Sequence, residues 1–411
     1  MLTSTKLHHA ICALSALNLS IRGQATLEEA IEHYDRALSA QTPTSSADDL
    51  LSDGVFLRHY LLFIYDICMT ADANDAGAGM WVDHLRHLVT LTQRRVARFG
   101  KEPHPFVLHS ICAFDTYACL MGNGNCDYFR TVLAQQIVPP LGAALTPTSQ
   151  RGPTAWPNEA HTYPIIMNLM RGVMIHTSNL AQVAQQFRRE AADRATVSPG
   201  RCARWQAQVF QLQTELSNFW QQAYPEFLEK DSPMAGQALD VRMRYVFEHV
   251  SQRQPENLES MTAVANQLLQ AFLLYQSSTL YSRTSMFPNQ TLLPTANQSA
   301  LQTDTGTRVS HILTLTIHIL SNNELERREV VFPIFMAGVA TNNPAAKAKA
   351  IDLLKSFEGH GIGQNTSVVR RLLEAVCGEQ RARVAAGRRM EEVEWLRVGR
   401  ERGLSVVNCG L

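Results

Sequence analysis

Cysteine is scarce in this sequence, net charge is absent, and long apolar runs do not occur. Eight cysteines among 411 residues, most of them embedded in helical apolar patterns, make no disulfide framework and point to a reducing compartment. Lysine plus arginine number 37, as do aspartate plus glutamate. A chain with no basic excess is not built chiefly to grip phosphate backbones. No stretch approaches the roughly 18–20 uncharged apolar residues that a membrane-spanning helix needs, so no membrane association is expected. His8 and His9 interrupt the approach to the N-terminal apolar stretch, which then continues in helical spacing and disfavours a secretory signal. Strand signals are nearly missing: Asn123-Gly124 lies between helical patterns rather than between alternating ones.

What remains is 45% apolar residues, enough for a sizeable core, arranged in helix after helix. Leu27, Ala30, Ile31, Tyr34, Ala37 and Leu38 recur at the three-and-four spacing of one helical stripe, and Thr26 with Glu29 forms a capping box before them. The period continues through 47–70, 79–99, 104–121, 126–136, 164–195, 200–228, 234–252 and 257–281, then through 307–321, 344–357 and 366–385. Gly23, Pro43, Gly77, Gly100, Pro103, Gly122, Pro199 and Pro255 punctuate it. The reading is an all-α fold, a large array of packed helical hairpins in a single domain, with no fixed-length repeat. Five prolines make 139–163 irregular. Residues 282–306, rich in Ser, Thr, Asn and Gln, read as one mobile polar linker between a helical core over 1–281 and C-terminal helices over 307–411 that pack on it.

No catalytic signature stands out. Gly122-Asn123-Gly124 lacks the Lys and Ser/Thr of a phosphate loop, and no Gly-x-Ser-x-Gly, His-Glu-x-x-His or kinase pattern is present. His84 and His87, three apart with Asp83 beside them, have the spacing to share a metal, but no third ligand follows, so no metal and no cofactor are expected. His311 and His318 lie about 10 Å apart along one helix, too far for one ion. The residues that an internal pocket would recruit are His59 and Asp66 on one stripe, Arg242, Tyr245 and His249 on another, His109 and Tyr117, His161 in the Pro-rich segment, His176 and His318. Ordinary inter-helix hydrogen bonds would satisfy each of them equally well. No catalytic residue is identified.

Several segments resemble the fungal-specific transcription factor domain, the helical regulatory region of fungal zinc-cluster regulators. LHHAICALSALNLS with EEAIEHYDRALSA is similar to its first helical hairpin. YLLFIYDICMTAD followed by GMWVDHLRHLVTLTQRRV resembles its second, with Trp81, His84 and Leu85 in a Trp-x-x-His-Leu pattern. VVFPIFMAGVATNNPAAKAKAIDLL, with Pro333, Phe335, Ala337 and Gly338, and then SVVRRLLEAV and Trp395, resembles its closing helices. The family's DNA reader begins with two cysteines three apart, and that spacing is absent; Cys112, Cys119 and Cys126 show only a six-residue gap, in or beside an apolar helix.

The resemblance therefore implies a regulatory domain without a zinc cluster. It is expected to be nuclear or cytoplasmic and not to bind DNA sequence-specifically by itself. It would bind a small molecule or a protein partner, such as another transcription factor or a second copy of the chain, and act indirectly on transcription of a secondary metabolic pathway. The alternatives are an enzyme of secondary metabolite biosynthesis grown from the same scaffold, a cyclase, isomerase or pericyclase of the Diels-Alder type, and a piece of a longer regulator. The enzyme requires several of the pocket residues named above to converge on one enclosed point.

Overall fold

A computed structural model of the protein describes residues 5–39, 49–69, 80–100, 102–137, 159–192, 198–223, 258–287, 290, 298–322, 327–358, 364–390, 393–404, 406 and 409. Every regular element among them is helical. Two compact units emerge, one built from 1–138, 354–375 and 395–411, the other from 139–353 and 376–394.

The first unit holds α1 (Thr5–Ile21), α2 (Leu27–Leu38), α3 (Asp53–Met69), α4 (Met80–Phe99), α5 (Pro105–Leu120) and α6 (Asp127–Ala134). Small residues Ala10, Ala13 and Ala16 line the buried side of α1, which lets α2 and α3 pack closely on it. Gly23 adopts φ +69°, and the Gln24 N–H donates to Leu19 O at 2.8 Å, the closing bond of a left-handed C-cap that only glycine enters without strain. The stripe read for α2 divides: Ala30, Tyr34 and Ala37 are buried, whereas Leu27, Ile31 and Leu38 are exposed. A short helix covered along one narrow seam buries only the residues nearest that seam.

The Thr26 cap is present, with Thr26 Oγ1 accepting from the Glu29 N–H at 3.3 Å. Replacing Thr26 with alanine should lower stability by about 1 kcal/mol in a denaturant titration. No measurable change would show that this end of α2 is satisfied by water instead. A less local cap serves α6, whose N-terminal Phe129 N–H donates to Asp115 Oδ2 on α5 at 3.0 Å. Burial pushes that fully enclosed carboxyl up to about 7.

The second unit is organised around α9 (Leu258–Thr284), against which α7 (Glu159–Ala192), α8 (Pro199–Ala223), α10 (Gln298–Asn322) and α11 (Val331–Ala340) pack. Residues 268–282 of α9 are buried without a break, Gln, Ser and Thr included. Most of those polar groups survive burial by finding a partner, the Gln270 Oε1 being an exception. Ser277 donates to Leu274 O, Thr279 to Tyr275 O, and Ser278 pairs with Thr177 on α7 at 2.7 Å. All ten residues of α11 are buried. The boundary between the units falls inside α12 (Pro344–Phe357) and α13 (Asn365–Ala385); α14 (Trp395–Glu401) closes the series in the first unit.

Two sequence readings change. The stretch 282–306 is helical at both ends, because α9 continues through Thr284 and α10 begins at Gln298. Its Ser, Thr and Gln content lowers helix propensity only slightly, and the buried contacts of α9 outweigh that cost. His161 and Tyr163 lie in the first turns of α7 rather than in a loop. The first N–H groups of a helix lack intrahelical partners anyway, so Pro164 near this end removes only one ladder bond.

Candidate functional site

His59 and Asp66, expected on one stripe of α3, do share a buried face of the first unit, and α2 and α4 bring their partners. The His59 Nδ1 meets His84 Nδ1 at 3.3 Å, and His84 Nε2 lies 3.3 Å from the Tyr34 hydroxyl and 3.6 Å from Asp66 Oδ2. Arg58 Nη2, which can only donate, approaches His59 Nε2 at 3.0 Å. The protons are assigned from that fixed point. His59 accepts at Nε2 and donates from Nδ1; His84 accepts at Nδ1 and donates from Nε2 toward Tyr34, whose hydroxyl partly offsets the burial of the Asp66 carboxyl.

Burial governs the charge of this relay. Desolvation, with Arg58 adding to it, pulls His59 down to about 3, and burial pulls His84 down to about 4. Burial pushes Asp66 up to about 7 and Tyr65 up to about 12; Tyr34 is also raised, first by burial and then by Asp66. Tyr34 and Tyr65 stack at 4.7 Å, and His87 stacks on His59 at 5.3 Å. The relay is thus a chain of neutral groups that holds a proton on Asp66 at pH values where an exposed aspartate would have released it. His84 and His87 serve different ends, one buried in the relay and the other exposed. Among the described residues no group of three or more His, Cys, Asp or Glu converges as metal ligands would.

The second unit contains a cavity of about 50 Å³ walled by α9, α10, the segment after α11 and Met390. Arg283, from the last turn of α9, is the one charged residue on that wall among the described residues. Its Nη2 pairs with Asp304 Oδ2 at 2.6 Å, and its Nη1 donates to Thr305 Oγ1 at 3.2 Å. The same Asp304 oxygen accepts from Arg308 Nε at 2.8 Å, while Arg308 Nη1 donates to Gln276 Oε1 at 2.6 Å and its guanidinium lies over Tyr275. Burial, with Arg308 adding to it, lowers the Arg283 pKa from the usual arginine range. Asp304 is pulled below the ordinary carboxylate range by Arg308 and Arg283, which overcome the opposing effect of burial.

Among the other expected pocket residues, the described His109, Tyr117 and His176 join neither cluster. His109 and Tyr117 are half-buried on α5. His176 on α7 lies against the Phe219 ring at 5.2 Å, with its pKa lowered by burial. His161 and His318 fall on α7 and α10 at positions whose side chains are not described, and Arg242, Tyr245 and His249 lie outside the described residues. None of the five whose side chains are described, His59, Asp66, His109, Tyr117 and His176, lines the cavity. Sequence reasoning missed Arg283, Asp304 and Arg308. The only signal was the Asp304–Arg308 spacing of one helical turn, which is common on solvated helices.

A family model described as the fungal specific transcription factor domain matches residues 1–409. No curated protein and no solved structure matches the chain.

Proposed function

From the chain's membership of the fungal specific transcription factor domain family, we propose that it is a regulatory domain that binds a small molecule or a protein partner. It acts indirectly on the transcription of a metabolic pathway, one of secondary metabolism, and works in the nucleus or the cytoplasm. The observation that carries the ligand-binding part is the cavity beside Arg283, a concave space whose wall mixes apolar residues with a few convergent polar groups. The balance of 37 basic and 37 acidic residues supports an indirect action on DNA, through a partner regulator or a second copy of the chain, over a direct grip on the duplex.

An enzymatic reading needs polar groups gathered around one reaction chamber. The relay around His84 is sealed by Tyr34, Tyr65 and Asp66, which are nearly inaccessible to solvent, and its members reach one another rather than an open space. Native mass spectrometry of the full chain purified from its own host tests the regulatory reading. The expected result is a small molecule that travels with the folded protein and is released on unfolding. Finding neither a bound molecule nor a stable complex with another protein would overturn it.

A further inference from the structure

We propose that the cavity beside Arg283 receives the oxyanion head of a small acidic molecule, a carboxylate or a phosphate, with the Arg283 guanidinium as its charged contact. The inference rests on the ligand-binding reading above and deepens it by assigning the ligand's charge.

The argument begins with unbalanced charge. Arg283 and Arg308 share one carboxylate, and both pair with the same oxygen of Asp304. Two cations and one anion leave one positive charge over, and the side chains of Arg283 and Arg308 are only 13% and 16% exposed. Charges so withdrawn from water are ordinarily matched by a counter-charge. Among the described residues the cavity wall offers none, since those that line it include no Asp or Glu. The Arg283 Nε is shielded from solvent and has no hydrogen-bond partner. An anion entering the cavity would supply the missing charge.

The neutral groups on the wall suit the same guest. Thr284, Thr305, Thr341, Gln302 and Asn342 present hydroxyls and amides. Thr305 Oγ1 already accepts from Arg283, which leaves the hydroxyl's own proton to donate elsewhere. The negative end of α11 lies close by and would repel an anion if its last carbonyls were bare. They are engaged instead: Lys347 Nζ donates to Gly338 O at 3.2 Å and Gln380 Nε2 to Val339 O at 3.0 Å. A volume of about 50 Å³ holds a few waters or one small polar group, so the site fits a head group while the rest of the ligand extends outward.

The test titrates the full chain with inorganic phosphate, with succinate and with neutral succinamide, each at ionic strength matched by sodium chloride, and follows binding by calorimetry and by the thermal midpoint. Phosphate or succinate should bind and raise the midpoint while succinamide does not; the stronger of the two anions tells a phosphate source from a carboxylate one. Arg283→Gln should weaken that binding by about tenfold or more, the usual worth of a charge-assisted hydrogen bond. Because that variant also deprives Asp304 of a partner, Gly306→Leu is the second. Gly306 borders the cavity within α10 and is exposed, and a Cβ there meets no atom within 4 Å, so a leucine at the cavity's edge is accepted without clash while favouring the helix. It should fold at least as stably as the parent and lose the anion response. A Gly306→Leu chain that still responds like the parent overturns the assignment. Succinamide binding as well as succinate overturns the anion and leaves the ligand-binding reading intact. No response to any of the three, together with no co-purifying molecule, overturns both.

Discussion

Replacing Arg95 with leucine should destabilise the first unit by about 3–5 kcal/mol, the cost of leaving a buried charge without its partner. Arg95 and Glu102 have fully buried side chains, and two parallel bonds, 2.8 and 2.9 Å, join them. A third bond runs from Nη2 to Asp53 Oδ1 at 2.7 Å, and Nη1 donates to Leu51 O, so one guanidinium ties α4 to the chain entering α3. Phe56 lies under it, its ring centre 4.9 Å from the guanidinium carbon. The Arg95 guanidinium also holds the Asp53 carboxyl below the ordinary carboxylate range. Leucine fills comparable space but leaves Glu102 sealed with no counter-charge. Denaturant titration at neutral pH measures the loss. Adding Glu102→Leu to the same chain should restore most of it, because a buried pair replaced by apolar side chains is close to neutral. A loss below about 1 kcal/mol for the single variant would mean that water reaches Glu102.

The second large effect is a stability profile that changes shape with pH when Asp66 becomes asparagine. In the unfolded chain Asp66 ionises near 3.8; in the folded chain, where burial disfavours the charge, it does so near 7. The folded protein therefore keeps a proton that the unfolded chain releases across that window. Stability owed to Asp66 falls as pH rises through the window and reaches its minimum above 7. At about 1.36 kcal/mol per unit the full span is worth up to roughly 4 kcal/mol. His59 and His84 act in the opposite sense. They stay neutral when folded, so the unfolded chain gains protons first as pH drops below 6.5. In the parent the two slopes oppose each other between about 4 and 6.5. In Asp66→Asn the histidine slope stands alone, and the variant gains on the parent from pH 5 to pH 8 by about 2.5 kcal/mol, the share of the Asp66 window that lies above pH 5. Denaturation midpoints at both pH values check it; parallel profiles would show that Asp66 is not the proton holder.

Both results depend on residues whose importance the sequence displays unequally. His59 and Asp66 share an apolar stripe, and that was enough to mark them. Tyr34 stood on the α2 stripe only as an apolar position, and nothing in the sequence tied its hydroxyl to His84, 50 residues further on. Arg95 follows Arg94 near the end of α4, and nothing in the sequence distinguishes the two. Its burial follows from Phe56 and Glu102, which arrive from other elements. Helix α11 had no stripe to read, because all of its faces are covered and periodicity vanishes when every position is apolar. The family resemblance, carried by scattered motifs, holds over residues 1–409.

The order of apolar and polar residues along the chain was sufficient to set the helical class, most helix limits and the cap at Thr26, since these depend on neighbours within about one turn. Only tertiary structure decided which charges meet. Arg283 and Thr305 are 22 residues apart, on different helices, and they face one cavity because α10 packs back along α9. A helix's own sequence shows which of its sides avoids water, but the partner that covers this side is selected by packing among all the helices at once.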